Sequence, residues 1–162
     1  MRRLRLLTSL LLVLSLLLCS CSEAREGLPP ATDLHADGQT ARAQRLPIVL
    51  FFYKTNCPFC REVEEVYLAR LQSENEKTPL FLLRTVEISQ TQPLVSFDGT
   101  GIDYRAFAKK QGVTLVPHLR FLGPDGEALA PDLVGLTTRD FYGGYLEDSI
   151  ATAGEKMRRV SR

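Results

Sequence analysis

Histidine and methionine occur only twice each in the 162 residues, and tryptophan is absent. So few imidazole and thioether groups leave no His-rich or Met-rich tract of the kind that gathers soft metal ions. Cysteine is also scarce, at four. Cys57 and Cys60 form a single C-x-x-C with no second pair, so a zinc site of about four ligands would have to recruit both His35 and His118. An excess of one charge is missing as well: 20 basic and 19 acidic residues leave +1, without the basic surplus expected of a nucleic-acid binder. There is no internal repeat, and no apolar run reaches the roughly 20 residues of a membrane-spanning helix. What is present, 44% hydrophobic and 24% charged residues, is the composition of one globular domain that can build a core without staples.

The longest apolar run lies at the start. "MRRLR" is a positive opening, and "LLTSLLLVLSLLL" (6–18) has the length of a secretory signal core rather than of a span. Residues 1–20 therefore read as an export signal. Its removal takes away Arg2, Arg3 and Arg5, leaving 17 basic against 19 acidic residues, about −2 in net charge. The following "LCSC" resembles a bacterial lipobox, in which small residues precede a cysteine that is freed and lipidated. That resemblance implies lipid on Cys21, a lipid anchor to the membrane and a lipoprotein-type signal peptide. The competing reading is cleavage at the A-x-A-like Ser22-Glu23-Ala24, which gives a soluble exported protein. In both readings Cys57 and Cys60 are the thiols left to the folded domain, in a compartment that permits disulfides.

Residues 21–32, with a Pro-Pro pair and no periodicity, read as a tether; 33–154 read as the folded domain and 155–162 as a basic, frayed tail. Within the domain a short helix is expected over 33–44 despite Gly38, with His35 on its surface. "LPIVLFFY" (46–53) is a continuous apolar run suited to a strand buried on both faces. Val63, Val66, Tyr67 and Leu71 line one face of a helix, and "LFLLRTVEI" (80–88) is a second buried strand. Residues 89–101 read as a long connection, of the kind that often carries function. A short helix follows with Asp103 as N-cap and Gly112 at C′. Then comes a hairpin turning at Gly123–Gly126, and a last helix that begins near Thr137 or Thr138, where Thr137-x-x-Asp140 can cap it. Gly143-Gly144 inside that helix suggests a close approach, because each glycine costs about 1 kcal/mol relative to alanine. The order predicts an α/β domain: a mixed central sheet of about four strands flanked by helices.

"KTNCPFCREVEE" carries the chemistry. Cys57 follows the first strand and precedes a helix whose first residue is Pro58, where a missing N–H is harmless and φ is preset. Free amides and the positive dipole end at a helix start stabilise thiolate, the form that attacks disulfides. Cys60 lies one turn further in, placed to resolve a mixed disulfide. A zinc site and a structural staple are the competing readings; the first lacks ligands, and the second closes too short a loop to constrain much chain. A non-catalytic module holding Cu(I) or a partner on the two thiolates is a further alternative.

"PIVLFFYKTNCPFC", "VPHLRFLGPDGEAL" and "VGLTTRDFYGGYLEDSI", in this order, resemble the thioredoxin-fold proteins of the bacterial envelope, near the thioredoxin-like proteins of sulfur-oxidation systems. The likeness covers about residues 33–152. It implies a thioredoxin fold and a thiol:disulfide oxidoreductase in which Cys57 attacks and Cys60 resolves, with Pro58 and Phe59 between them as active-site support. It further implies a cis Val116-Pro117 bond that sets Val116 backbone groups beside Cys57, and a family glycine at Gly135. Its partners would be protein thiols and disulfides on the periplasmic side and a membrane electron donor, with no nucleic acid and no cofactor beyond the redox-active disulfide itself. Family analogy favours the reductase direction over a disulfide oxidase.

Departures from the family are informative. Cytoplasmic thioredoxins carry an acid six residues before the first cysteine that moves the resolving cysteine's proton; Phe51 stands there. Asn56 replaces their tryptophan, and Pro58-Phe59 their Gly-Pro. Glu62 and Glu87 are candidate substitutes for the missing acid, whereas Glu62, Glu64 and Glu65 together read most simply as a solvated helix face. Pro-aromatic between cysteines also resembles glutaredoxins, but "LGPDGEALAP" lacks their Gly-Gly and acidic turn, which argues against glutathione as dedicated partner. His118, next to Pro117, is a candidate for favouring the thiolate or shuttling a proton.

Overall fold

The computed structural model describes residues 27–160. The signal segment 1–20, Cys21 with its expected lipid, and the start of the tether lie outside the described residues.

The chain runs through α1 (Leu34–Gln44), β1 (Ile48–Tyr53) and a long helix in three parts: α2 (Pro58–Glu62), a π-helical segment (Val63–Leu68) and α3 (Ala69–Lys77). After these come β2 (Leu82–Glu87), β3 (Pro93–Val95), β4 (Gly101–Asp103), α4 (Tyr104–Lys110), β5 (His118–Leu122), β6 (Ala128–Val134) and α5 (Arg139–Val160). Four strands form one sheet in the order β2-β1-β5-β6. The β1–β2 pair is parallel, while β1–β5 and β5–β6 are antiparallel. This is the thioredoxin-like arrangement expected from the sequence, a four-strand mixed sheet flanked by helices.

Strand alternation divides the core in two. Val49 and Phe51 point to one face with Cys60, Val63, Leu119, Phe121 and Leu146. Ile48, Leu50 and Phe52 point to the other, with Leu34, Val86, Phe107 and Leu122. A strand packed on both sides has no polar face, which is why "IVLFFY" reads as an unbroken apolar run. Full burial of each such large side chain contributes about 1.5–3 kcal/mol. Helix α1 is capped by Asp33, whose carboxylate accepts from Ala36 N at 2.8 Å. It is tied to the sheet by Arg84, which donates to both Asp37 oxygens at 2.9 and 2.6 Å. Asp103 caps α4 the same way, accepting from Ala106 N at 2.9 Å.

Five expectations are corrected by this fold. The end of the tether is packed, not free: Ala31 N donates to Thr85 O and Thr85 N to Pro29 O, both at 2.9 Å, and Ala31 is fully buried. The strip occupies the outer edge of β2, whose backbone groups would otherwise be unpaired. Residues 89–101 are not a bare connection, since β3 pairs with β4 as a small two-stranded sheet. Val66 is 57% exposed, and Leu68 is buried in its place. A π turn takes up more residues than an α turn, so the buried positions jump from Val63 to Leu68 instead of keeping the 3.6 period.

The last two concern α5. It continues to Val160 through the stretch expected to fray, because Ala153 and Met157 carry the apolar face onward into the first core. It opens at Arg139, with Phe141 N donating to Thr138 O at 3.1 Å, so of the two starts expected from the sequence Thr138 is the one used. The Gly143-Gly144 pair meets no close approach either: a Cβ on Gly143 would lie 3.6 Å from the Tyr67 ring, an ordinary contact, and one on Gly144 would meet open space.

Candidate active site

Cys57 sits where β1 has ended and α2 has not begun. Its backbone is extended, its N–H donates to Lys54 O at 3.2 Å, and it is the N-cap of α2 with Pro58 at the first helical position. The Cys57 sulfur accepts from Cys60 N at 3.1 Å, doing the work that a Ser or Asp side chain does at other helix starts. The two cysteines form a disulfide with their Cα atoms 5.2 Å apart. They differ in access: Cys57 is half-buried, whereas Cys60 is 1% exposed and belongs to the first core. An outer sulfur on free amides and an inner one beneath it are the geometry of sequential thiol exchange.

Phe59 projects outward, 51% exposed, with the Arg139 guanidinium 5.7 Å over its ring. Arg139 also grips Glu62, donating from two nitrogens at 2.6 and 3.1 Å. That pair holds the Glu62 carboxyl below its ordinary range, the hydrogen bond from Arg139 being the main cause. Glu62 is thereby committed to α5. Arg139 lies 77 residues from Glu62, and no local pattern in the sequence announces it.

The Val116-Pro117 bond is cis. Val116 packs at the fringe of the first core, as Cys57 does, and Gly135, with φ +74°, donates its N–H to Pro117 O at 2.7 Å. His118 goes elsewhere, contrary to its candidacy as a thiolate partner. It stands opposite Phe52 in the β1–β5 register, so alternation sends its ring to the face away from Cys60, edge-on to Phe52 at 6.0 Å. There its Nε2 pairs with Asp132 Oδ2 at 2.9 Å, and Arg120 shares the same carboxylate at 3.1 Å. The ring is a structural member of the second core. His35 stays at the surface of α1, hydrogen-bonded through Nδ1 to Phe97 O.

An open cleft of about 1410 Å³ runs beside Cys60, between the strip Gly27–Pro30 and the long helix. Tyr53, Cys60 and Glu64 are among its walls. Glu64 is half-buried, so the acidic face is not uniformly solvated. Burial pushes the Glu64 carboxyl up, and Glu65 adds to the shift. The Tyr53 phenol, stacked on Phe51 at 5.5 Å, is raised by burial, then by Glu64 and Glu87. Glu87 is 2% exposed, and both its oxygens accept from the Ser89 hydroxyl at 2.8 Å. Among the described residues, no group of three or more His, Cys, Asp or Glu could hold a metal ion.

Several solved thioredoxins are similar to this chain. Thioredoxin 3 from the mitochondria of Saccharomyces cerevisiae, in its oxidised form, is similar at 19% identity and a TM-score of 0.50, over 76% of this chain and 93% of its own. Fasciola hepatica thioredoxin gives 18% identity and 0.46, over 74% and 96%. Thioredoxin O2 from Arabidopsis thaliana gives 20% and 0.46, over 72% and 91%. Sequence comparison with curated proteins returns no match. The thioredoxin-like domain model matches residues 34–150, from the first turn of α1 into α5 and across both cysteines and the cis-proline, and that span makes the chain a member of the thioredoxin-like domain family and a thiol-disulfide oxidoreductase.

Proposed function

We propose that this protein is a reductase of protein disulfides on the periplasmic side of the bacterial envelope, held there by lipid on Cys21. Cys57 thiolate attacks one sulfur of a substrate disulfide, and the other sulfur leaves with the electron pair. Cys60 then attacks Cys57, the mixed disulfide breaks, the second substrate sulfur departs reduced, and the Cys57–Cys60 disulfide remains. Electrons return to the pair from a membrane thiol-transfer protein. Phe59 and the backbone of Val116 beside Pro117 bind the extended segment that presents the substrate disulfide.

The observation that carries this reading is the Cys60 amide donating to the Cys57 sulfur at 3.1 Å, with Cys57 half-buried and Cys60 1% exposed. The signal-like 1–20 and the lipobox-like 18–21 support the location. The test is substrate trapping in the native envelope. Cys60→Ser, expressed with its own leader, is expected to accumulate mixed disulfides with envelope proteins and to partition with membranes, while Cys57→Ser traps none. Absence of trapped partners refutes the exchange reading, and release of Cys21→Ser alongside an equally soluble wild type refutes the anchor.

A further inference from the structure

Moving the resolving proton needs a base near Cys60, and the position where cytoplasmic thioredoxins place an acid is filled here by Phe51, fully buried in the first core. Three carboxylates come into question. Glu62 is bound by Arg139 in a two-point ion pair. Glu87 has both oxygens turned to Ser89. The Glu64 carboxylate makes no hydrogen bond or ion pair among the described residues, and Glu64 lines the same cleft as Cys60, four residues on along the helix.

The helix itself accounts for this placement. Cys60, Arg61, Glu64, Glu65, Ala69 and Arg70 line the cleft, in steps of four and then five residues. The four-residue step, taken as the helix passes from α2 into its π-helical segment, brings Glu64 onto Cys60's side. The five-residue step follows the π hydrogen bond from Ala69 N to Glu64 O. π segments of this kind are frequent at functional sites.

We infer that Glu64 is the group that accepts the Cys60 proton through the cleft and returns it to the departing substrate sulfur. This rests on the exchange reading above. The step balances as follows: Cys60 S–H gives its proton to the Glu64 carboxylate, and the Cys60 thiolate forms a bond to Cys57 sulfur. The bond from Cys57 to substrate breaks, and the substrate thiolate leaves with the pair and takes up a proton. Other charged and titratable groups around Glu64 are Tyr53 and Lys54 at the end of β1, and Arg61, Glu65, Arg70 and Glu76 along the helix. The strip Gly27–Pro30 contributes no charged side chain. Glu87 reaches the group only through Tyr53, on which both carboxylates act. With burial disfavouring its charge, Glu64 is more basic than a free carboxylate and better matched to a thiol.

The experiment is single-turnover reduction of 5,5′-dithiobis(2-nitrobenzoate) by the reduced processed protein, in which residues 1–20 are removed and Cys21 carries its lipid, so that Cys57 and Cys60 are the free thiols. Attack by Cys57 releases the first coloured thiolate, and resolution by Cys60 releases the second. Glu64→Gln is expected to slow the second phase relative to the first by roughly 10²-fold, and to remove the acidic inflection from its pH profile. Glu64→Asp is expected to restore part of both. An unchanged phase ratio, a slowed second phase with its pH profile intact, or the same loss in Glu87→Gln but not in Glu64→Gln overturns the assignment. Absence of the two phases in wild type instead refutes the exchange reading itself.

Discussion

The amide of Cys60 points at the sulfur of Cys57 from 3.1 Å, inside the first turn of the helix that Cys57 caps. On reduction that donor remains, and it favours the anionic sulfur over the thiol. Cys57 is therefore expected to titrate below a free thiol, whose value is about 8.5. The pH dependence of alkylation by iodoacetamide in Cys60→Ser, where Cys57 is the exchanging thiol, reads this directly. An inflection at or above the free value removes the physical basis of the nucleophile.

Two glycines in helices make opposite predictions. A Cβ on Gly38 would collide with the Pro124 carbonyl oxygen, a backbone atom, so α1 rests on the hairpin turn only because that side chain is missing. Gly38→Ala is expected to destabilise the domain by about 1–3 kcal/mol through overpacking. A Cβ on Gly144 meets nothing, and Gly144→Ala should stabilise α5 by roughly 1 kcal/mol through helix propensity. Urea midpoints of the two variants and wild type decide it; equal signs refute the packing account.

The contrast shows what the sequence carried. Elements governed by local chemistry were legible: Asp33 and Asp103 as caps, the apolar run of β1, and Cys57-Pro58 at a helix start. Gly38, Arg139 and His118 were not. Their roles are set by partners remote in the chain: the Pro124 carbonyl, the Glu62 carboxylate, and a strand register that turns His118 toward Phe52. Glu64 was missed for a subtler reason. An even 3.6 period places Val63, Val66 and Tyr67 on the buried face, and only the π-helical segment reveals which residues share the cleft with Cys60.

Asn75 fastens the end of α3 to the start of the next strand. Its carbonyl oxygen accepts from Leu80 N at 2.7 Å and Phe81 N at 3.2 Å, and its amide donates to Phe81 O at 2.9 Å. The side chain is buried, so Asn75→Ala strands several backbone groups at once. A loss of about 1–3 kcal/mol is expected, with Asn75→Asp keeping only the accepting half. Hydrogen exchange in Asn75→Ala should show the amides of Leu80 and Phe81, just ahead of β2, opening before those of the strand. Unaltered protection at both would contradict the clasp.

Glu64 also ties stability to pH in the oxidised protein, where neither active-site thiol titrates. Burial, with Glu65, raises its folded pKa above the unfolded value, so the folded state binds this proton more tightly. Its favourable contribution is complete below the unfolded pKa and is lost as pH rises through the folded one. At neutral pH the folded wild type therefore carries a partly desolvated charge that Glu64→Gln does not. The variant should melt above wild type near neutrality, and the gap should close as pH falls towards about 3, where both side chains are uncharged. Thermal unfolding of the two oxidised proteins across that range measures it. A gap that stays constant assigns the difference to packing, and a reversed gap means that the cleft stabilises the carboxylate rather than the acid.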